Sequence, residues 1–248
     1  MNTYSITDVG RVRSMNQDRY SNYFHPRFSL LLLADGMGGH NAGEVAASMA
    51  IDACQSYFMK DKDRNDYEAF LTEAIEAANS AIYEKGEHVP EYRRMGTTIC
   101  AAVIADRQLT IAHVGDSRIY LFRDGKLLQL TQDHSLVADM VRQGLLTPEE
   151  ALVHPDRNTL TRAVGTDETI EVDTRTLPLS SGDRLLLCSD GLTKMMDTTS
   201  IEEVLQEEPG AREACERLVK LANDNGGADN ITLTLYDIGG DDEADSAQ

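Results

Sequence analysis

Apolar positions along the chain follow two different periods. Residues 3–9 fit an opening strand, and Phe28 to Ala34 is a continuous apolar run of the kind a strand covered on both faces requires. Asn41 is placed to cap a helix running to about Met59, with Glu44 three residues on to complete a capping box. Tyr67, Phe70, Leu71, Ala74, Ile75, Ala78 and Ile82 then recur at helical spacing and predict a second helix. Beyond it, residues 97–105, 108–114, 118–123 and 126–130 read as short strands joined by tight turns such as Asp124-Gly125. Residues 134–164 form a helical insert poor in apolar positions. Strands return near 169–176 and 183–189, helices near 200–207 and 210–223, and Asn230 to Asp237 closes with a strand. Helices, then strands, then helices predict a layered α+β domain with its helices outside β-sheets.

Composition narrows the class. At 248 residues one domain is favoured over two, and 41% hydrophobic against 26% charged residues suits a soluble globule with a full core. No apolar run approaches the length of a membrane span, and Met1-Asn2-Thr3-Tyr4 is neither basic nor apolar, which predicts neither membrane association nor a secretory leader but a cytoplasmic protein. The four cysteines, Cys54, Cys100, Cys188 and Cys215, are widely spaced and lack a Cys-x-x-Cys pair, as expected of small buried hydrophobes in a reducing compartment. Gly239 to Gln248 reads as a disordered acidic tail after a unit spanning 1–238.

Charge changes the picture most. The 42 acids against 23 bases give −19, which argues against binding of nucleic acid through its phosphate backbone. Only Asp241, Asp242, Glu243 and Asp245 of those acids lie in the tail, so the body itself is acidic. If the substrate is phosphorylated, a bound metal is the natural source of positive charge.

Aspartates sit at the ends of four apolar strands. Leu30 to Ala34 runs into Asp35-Gly36, Leu109 to Val114 into Gly115-Asp116, Leu185 to Ser189 into Asp190-Gly191, and Asp229 stands just before Ile231 to Leu235. Antiparallel neighbours put the start of one strand beside the end of another, so Asp229 is expected near Asp35 and Asp190, with Asp18 after the opening strand as a further member. Ionised carboxylates 4 Å apart repel by roughly 4 kcal/mol at an effective dielectric near 20. Either their pKa values rise or cations sit among them. Oxygen donors without histidine or cysteine suit Mg²⁺, Mn²⁺ or Ca²⁺ rather than Zn²⁺. Taken singly, an Asp-Gly after a strand is usually only a turn, and the glycines allow one.

The motifs go further in combination. Arg13-Ser14-Met15-Asn16-Gln17-Asp18, Asp35-Gly36-Met37-Gly38-Gly39-His40, Gly43-Glu44, Gly96-Thr97-Thr98, Gly115-Asp116-Ser117-Arg118, Ser189-Asp190-Gly191-Leu192 and Asp229-Asn230-Ile231-Thr232 stand in this order. The series resembles the bacterial branch of the metal-dependent protein phosphatases (PPM, or type 2C), over about residues 4 to 237. The resemblance implies a four-layer α-β-β-α sandwich, two antiparallel β-sheets flanked by helix pairs, with a binuclear Mn²⁺ or Mg²⁺ centre and a weaker third site. It implies hydrolysis of phosphoserine and phosphothreonine in proteins by direct attack of a metal-bridging hydroxide, in a monomer opposing a Ser/Thr protein kinase. Carried over by position, Asp35 bridges the metals and the Gly36 carbonyl binds the first; Asp190 and Asp229 hold the second; Asp18 acts through a metal-bound water; Asp116, helped by Asp190, serves the third; Arg13 clamps the phosphate. The 134–164 insert resembles the family's flap beside the active site.

Two positions depart from the pattern. Gln17 replaces a residue that is often acidic in the family, and Met37 stands where some eukaryotic members have a histidine proposed as general acid. His40, three residues later, is the candidate acid here, beside a metal-bound water or no dedicated acid. Elsewhere, Arg118 is expected to pair with Asp116, His113 to be a satisfied core residue, and Asp133 and Asp139 to be solvated. A nucleotide P-loop is excluded because no GxxxxGK[ST] occurs, and the only Asp-x-Asp spacing considered for a haloacid-dehalogenase nucleophile, Asp61-Lys62-Asp63, lies in a polar linker. A non-catalytic family module would be expected to have lost a ligand, and a calcium-binding structural domain would need an Asp-x-Asp-x-Asp-Gly loop, which is absent.

Overall fold

A computed structural model describes residues 3–38 and 42–239. The chain runs β1 (Thr3–Asp8), β2 (Asp18–His25), β3 (Phe28–Met37), α1 (Ala42–Lys60), α2 (Tyr67–His88), β4 (Gly96–Thr97), β5 (Ile99–Ala105), β6 (Gln108–Val114), β7 (Arg118–Arg123) and β8 (Lys126–Gln129). It continues with α3 (Leu136–Arg142), α4 (Pro148–Val153), β9 (Asp173–Pro178), β10 (Arg184–Cys188), α5 (Asp190–Thr193), α6 (Thr198–Glu207), α7 (Ala211–Asp224) and β11 (Ile231–Asp237). One sheet has the order β1-β11-β10-β7-β8 and the other β2-β3-β5-β6-β9, with β4 on β3. All pairings are antiparallel.

The continuous apolar run of β3 is explained by what covers its faces. Leu31 and Leu33 point into the space between the sheets, where they meet Leu109, Ile111, Ile119, Leu121, Leu185 and Leu187. Leu30, Leu32 and Ala34 point the other way, onto Ala46, Ala50, Phe58, Phe70, Ile75 and Ile82 of α1 and α2. The second sheet divides similarly: Leu186 and Cys188 of β10, with Leu233 and Leu235 of β11, face Val204, Leu218 and Ala222 of α6 and α7. Three apolar layers therefore separate four layers of structure, the α-β-β-α sandwich. At its β1–β11 edge the filling is polar, with Ser5 against Thr234 at 2.7 Å and Thr7 against Thr232 at 2.6 Å between hydroxyl oxygens.

Several expectations need correction. Residues 18–25 form a full strand that the polar sequence Asp18-Arg19-Tyr20-Ser21-Asn22 did not reveal, because β2 is an edge strand and lacks a continuous buried face. The strand expected at 169–176 begins only at Asp173. Helix in the 134–164 insert is confined to α3 and α4. Asn41, His40 and the acidic tail from residue 240 lie outside the described residues; Glu44, expected in a capping box, pairs with Arg19 at 2.5 Å. The four cysteines are buried free thiols, and no described helix is long and apolar enough to cross a membrane.

Candidate metal centre

Register brings the carboxylates together. Asp18 at the start of β2 lies directly opposite Asp35 near the end of β3. The β10–β11 pairing puts Asp190, just past the end of β10, beside Asp229, just before β11. Asn230 ties this edge to the N-terminal loop: its Oδ1 accepts from the Gln17 N–H at 2.9 Å, and its Nδ2 donates to the Val9 and Met15 carbonyls, each at 2.9 Å. That suture carries Arg13 to Asp229, where Nε and Nη2 donate to the two carboxylate oxygens at 2.9 Å each. On the other side, Asp35 donates its N–H to Thr98 Oγ1 at 2.9 Å, and the Thr98 hydroxyl lies 2.7 Å from that of Ser117, the neighbour of Asp116.

The outcome is a pocket of about 230 Å³ lined by Arg13, Gln17, Asp35, Gly36, Met37, Gly38, Thr98, Asp116, Asn158, Leu160, Asp190, Lys194, Asp229 and Asn230. The surroundings of Gly36 and of Gly191 explain the Asp-Gly motifs. A Cβ on Gly36 would stand 2.1 Å from the Gly43 carbonyl oxygen, and one on Gly191 would stand 2.0 Å from that of Asn230. Backbone proximity, rather than a left-handed turn, requires glycine at both positions. A larger cleft of about 1040 Å³ opens around the far end of β3, but its charged Arg27 and Glu68 already bind Asp63 and Thr176.

The electrostatics carry the strain expected of converging carboxylates. Burial, reinforced by Asp190 and Asp229, pushes Asp18 from 3.8 up to about 6 against the opposing hydrogen bonds of Thr232 and Ser189. Asp35 is driven well above its ordinary value by burial and then by Asp18, Asp190, Asp116 and Asp229. Burial and Asp190 raise Asp116 to about 7, with Lys194 acting the other way. Asp18 Oδ1 and Asp190 Oδ1 are buried without a hydrogen-bond partner. Among the described residues no three His, Cys, Asp or Glu side chains enclose an ion as they stand; Asp229 is held by Arg13 and Asp190 by the Lys194 ammonium instead. An all-oxygen donor set with raised carboxylates and two orphaned buried oxygens fits hard divalent cations, which would return these groups to their ionised form.

Other expected contacts differ. Arg118 turns to Asp133 rather than Asp116, with Nε to Oδ1 at 2.9 Å and Nη2 to Oδ2 at 2.7 Å, so Asp133 is mostly buried and not solvated. Asp139 pairs with Arg142. His113 is buried as expected, with the Ser117 backbone beside its ring, and burial lowers it to about 3. His134 is held neutral, its Nδ1 accepting from the Gly115 N–H at 3.1 Å and its Nε2 lying 3.2 Å from Asp173. The insert contributes Asn158 and Leu160 to the pocket, and Lys194, the residue that caps the C-terminus of α5, also lines it. Neither Asn158 nor Leu160 had a sequence signal. Lys194 did, since it stands four residues after Asp190, the spacing that puts two side chains on one helical face.

The model for the family described as Protein phosphatase 2C matches residues 10–235. The protein phosphatase PhpP of Streptococcus pneumoniae is 41% identical over 241 residues, covering 96% of this chain and 97% of that protein. The crystal structure of the Mycobacterium tuberculosis serine/threonine phosphatase PstP/Ppp superposes with a TM-score of 0.87 at 42% identity, covering 96% of this chain and 98% of the other. The catalytic domain of PstP in complex with two manganese ions gives a TM-score of 0.85 at 41% identity, again covering 96% and 98%. With this fold and this pocket, the chain belongs to the protein phosphatase 2C family as a protein serine/threonine phosphatase of the bacterial type.

Proposed function

We propose that the aspartate pocket binds two Mn²⁺ or Mg²⁺ ions and hydrolyses phosphoserine and phosphothreonine in proteins, as one unit over 1–238 in the cytoplasm. The observation that carries this reading is the convergence of Asp18, Asp35, Asp116, Asp190 and Asp229 with two orphaned buried oxygens beside a guanidinium. Asp35 and the Gly36 carbonyl would hold the first ion, Asp35, Asp190 and Asp229 the second, and Asp18 would act through water. Asp116 with Asp190 marks the third position. When bound, the ions supply Lewis acidity toward the phosphate oxygens and toward the attacking water.

The chain's own residues do the rest. Arg13, whose Nε and Nη2 hold Asp229 in this structure, would turn its planar fork to two phosphate oxygens once Asp229 is taken up as a metal ligand, and so fix the phosphoryl group over the pocket. Ser189 and Thr98 hold Asp18 and Asp35 in place through the hydrogen bonds above. No described histidine lines the pocket, so protonation of the leaving serine or threonine oxygen falls to water or to His40, which lies outside the described residues. Asn158 and Leu160 make the insert a wall of the pocket and support a part for 134–164 in admitting the substrate. A monomer working against a Ser/Thr protein kinase completes the reading.

Phosphate release from a phosphothreonine peptide, with Mn²⁺ and with excess EDTA, tests it. Turnover should appear with metal, vanish with chelator, and be lost in Asp190→Ala and Asp229→Ala. Turnover in EDTA, or near-normal rates in either variant, would overturn it.

A further inference from the structure

Lys194 is the one cation of the pocket that the phosphatase reading leaves without a task. Its backbone N–H donates to the Asp190 carbonyl at 2.8 Å, closing the turn of α5. The side chain therefore leaves the helix on the face of Asp190, and its ammonium contacts Asp190 Oδ2. The same ammonium acts on Asp116 and Asp229, and Lys194 and Asp116 line the same pocket. Two-thirds of the side chain is removed from solvent, with 33% exposed. An exposed pair at this spacing is weak and dispensable, but here both partners are enclosed among further carboxylates. Asp190 and Asp116 are the two residues that the reading above assigns to the weaker third cation position.

We propose that the Lys194 ammonium occupies that third position, so that this protein carries two divalent ions and a built-in monovalent cation in place of a third. The proposal rests on the binuclear reading above. Charge supports it: five carboxylates against two divalent ions leave a single negative charge, which one ammonium cancels. Arg13 then remains as the surplus positive charge that meets the phosphate. A tethered ammonium does not dissociate, so its charge stays on Asp190 and acts on Asp116 at any metal concentration.

The test counts ions rather than turnover. Metal-free protein is titrated with Mn²⁺ while the paramagnetic resonance signal of the free ion is followed. Wild type should bind two ions, and Asp116→Asn should also bind two. Lys194→Met should acquire a third, at least about tenfold tighter than any extra binding by wild type, because a cation has been removed from the site. That third ion should be lost again in the Lys194→Met, Asp116→Asn double variant. Lys194→Arg, which keeps the charge, should stay at two, and circular dichroism of each variant checks folding, with Lys194→Gln in reserve if Lys194→Met does not fold. A wild type that binds three ions, one of them lost in Asp116→Asn and unaffected by Lys194→Met, overturns the assignment of Lys194 alone. A wild type that binds fewer than two overturns the binuclear reading and this proposal with it.

Discussion

Ser189 Oγ donates to Asp18 Oδ2 at 2.8 Å, and the same hydroxyl accepts the Thr232 N–H at 3.0 Å. One hydroxyl thus locks a buried carboxylate of β2 to the β10–β11 edge, across the two sheets. It engages Asp18 Oδ2 while Oδ1 stays without a hydrogen-bond partner, so the orientation of the donor is set before any cation arrives. Groups that orient metal donors typically change affinity by about 10–100-fold when removed. Ser189→Ala is therefore expected to weaken Mn²⁺ binding by about that factor, and to cost about 1–3 kcal/mol of stability for the buried oxygen left unpaired. Mn²⁺ titration with thermal denaturation of the metal-free protein reads both. An unchanged affinity would show that Asp18 needs no such support.

Arg13 meets Asp229 through both ends of its fork, Nε and Nη2, each at 2.9 Å, the geometry with which a guanidinium also grips phosphate. Arg13→Lys keeps the charge and loses the fork; Arg13→Ala loses both. KM for a phosphothreonine peptide is expected to rise by roughly tenfold in Arg13→Lys and further in Arg13→Ala, with a smaller change in kcat. Equal KM values in wild type and Arg13→Ala would remove Arg13 from the substrate clamp.

The layered α+β class was legible because its inner strands are covered on both faces and so read as unbroken apolar runs, as β3, β5, β6 and β10 do, whereas the four-layer sandwich was implied only by the family resemblance. β2 was hidden because it lies at an edge and mixes polar and aromatic residues. Antiparallel pairing places Asp18 beside Asp35 and Asp190 beside Asp229, but bringing the two pairs together takes the packing of one sheet on the other, and partner choice was not legible either. Arg118 is two residues from Asp116 and fifteen from Asp133, yet it pairs with Asp133, because the chain after β8 returns beside β7. Sequence distance favours the wrong partner wherever a hairpin folds back. Asn158 and Leu160 had no local pattern at all; a pocket wall supplied by an insert is a matter of long-range packing.

Gly36 and Gly191 offer a sharper test of why glycine follows each aspartate. Ala at 36 places its Cβ 2.1 Å from the Gly43 carbonyl oxygen and 2.8 Å from that of Gln17, and both are backbone atoms that cannot step aside. If the glycine served only a turn, Gly36→Ala would cost about 1 kcal/mol or less. Close approach predicts more than about 3 kcal/mol, or loss of the β3–α1 junction together with metal binding. Denaturant unfolding with a parallel Mn²⁺ titration separates the two, and a mild loss with intact binding would restore the turn explanation.

The raised carboxylates give the metal-free protein an unusual dependence on pH. Asp18 moves from 3.8 unfolded to about 6 folded, and Asp116 from 3.8 to about 7. In that interval the folded state holds more protons than the unfolded one, so each group's contribution to stability falls as pH rises from about 4 to about 7 and is level above it. For Asp18 the difference corresponds to about 3 kcal/mol at most. Metal-free protein is expected to have a higher Tm at pH 5.5 than at pH 8, and Asp35→Asn, which removes a carboxylate facing four others, should raise Tm at pH 8 while destroying turnover. Saturating Mn²⁺ should reverse the slope, because cations and protons compete for the same oxygens and stabilisation by the ion grows as the protons leave. Calorimetric Tm values across this pH range, with and without Mn²⁺, decide the matter. Parallel curves would mean that these carboxylates are not the ion's ligands.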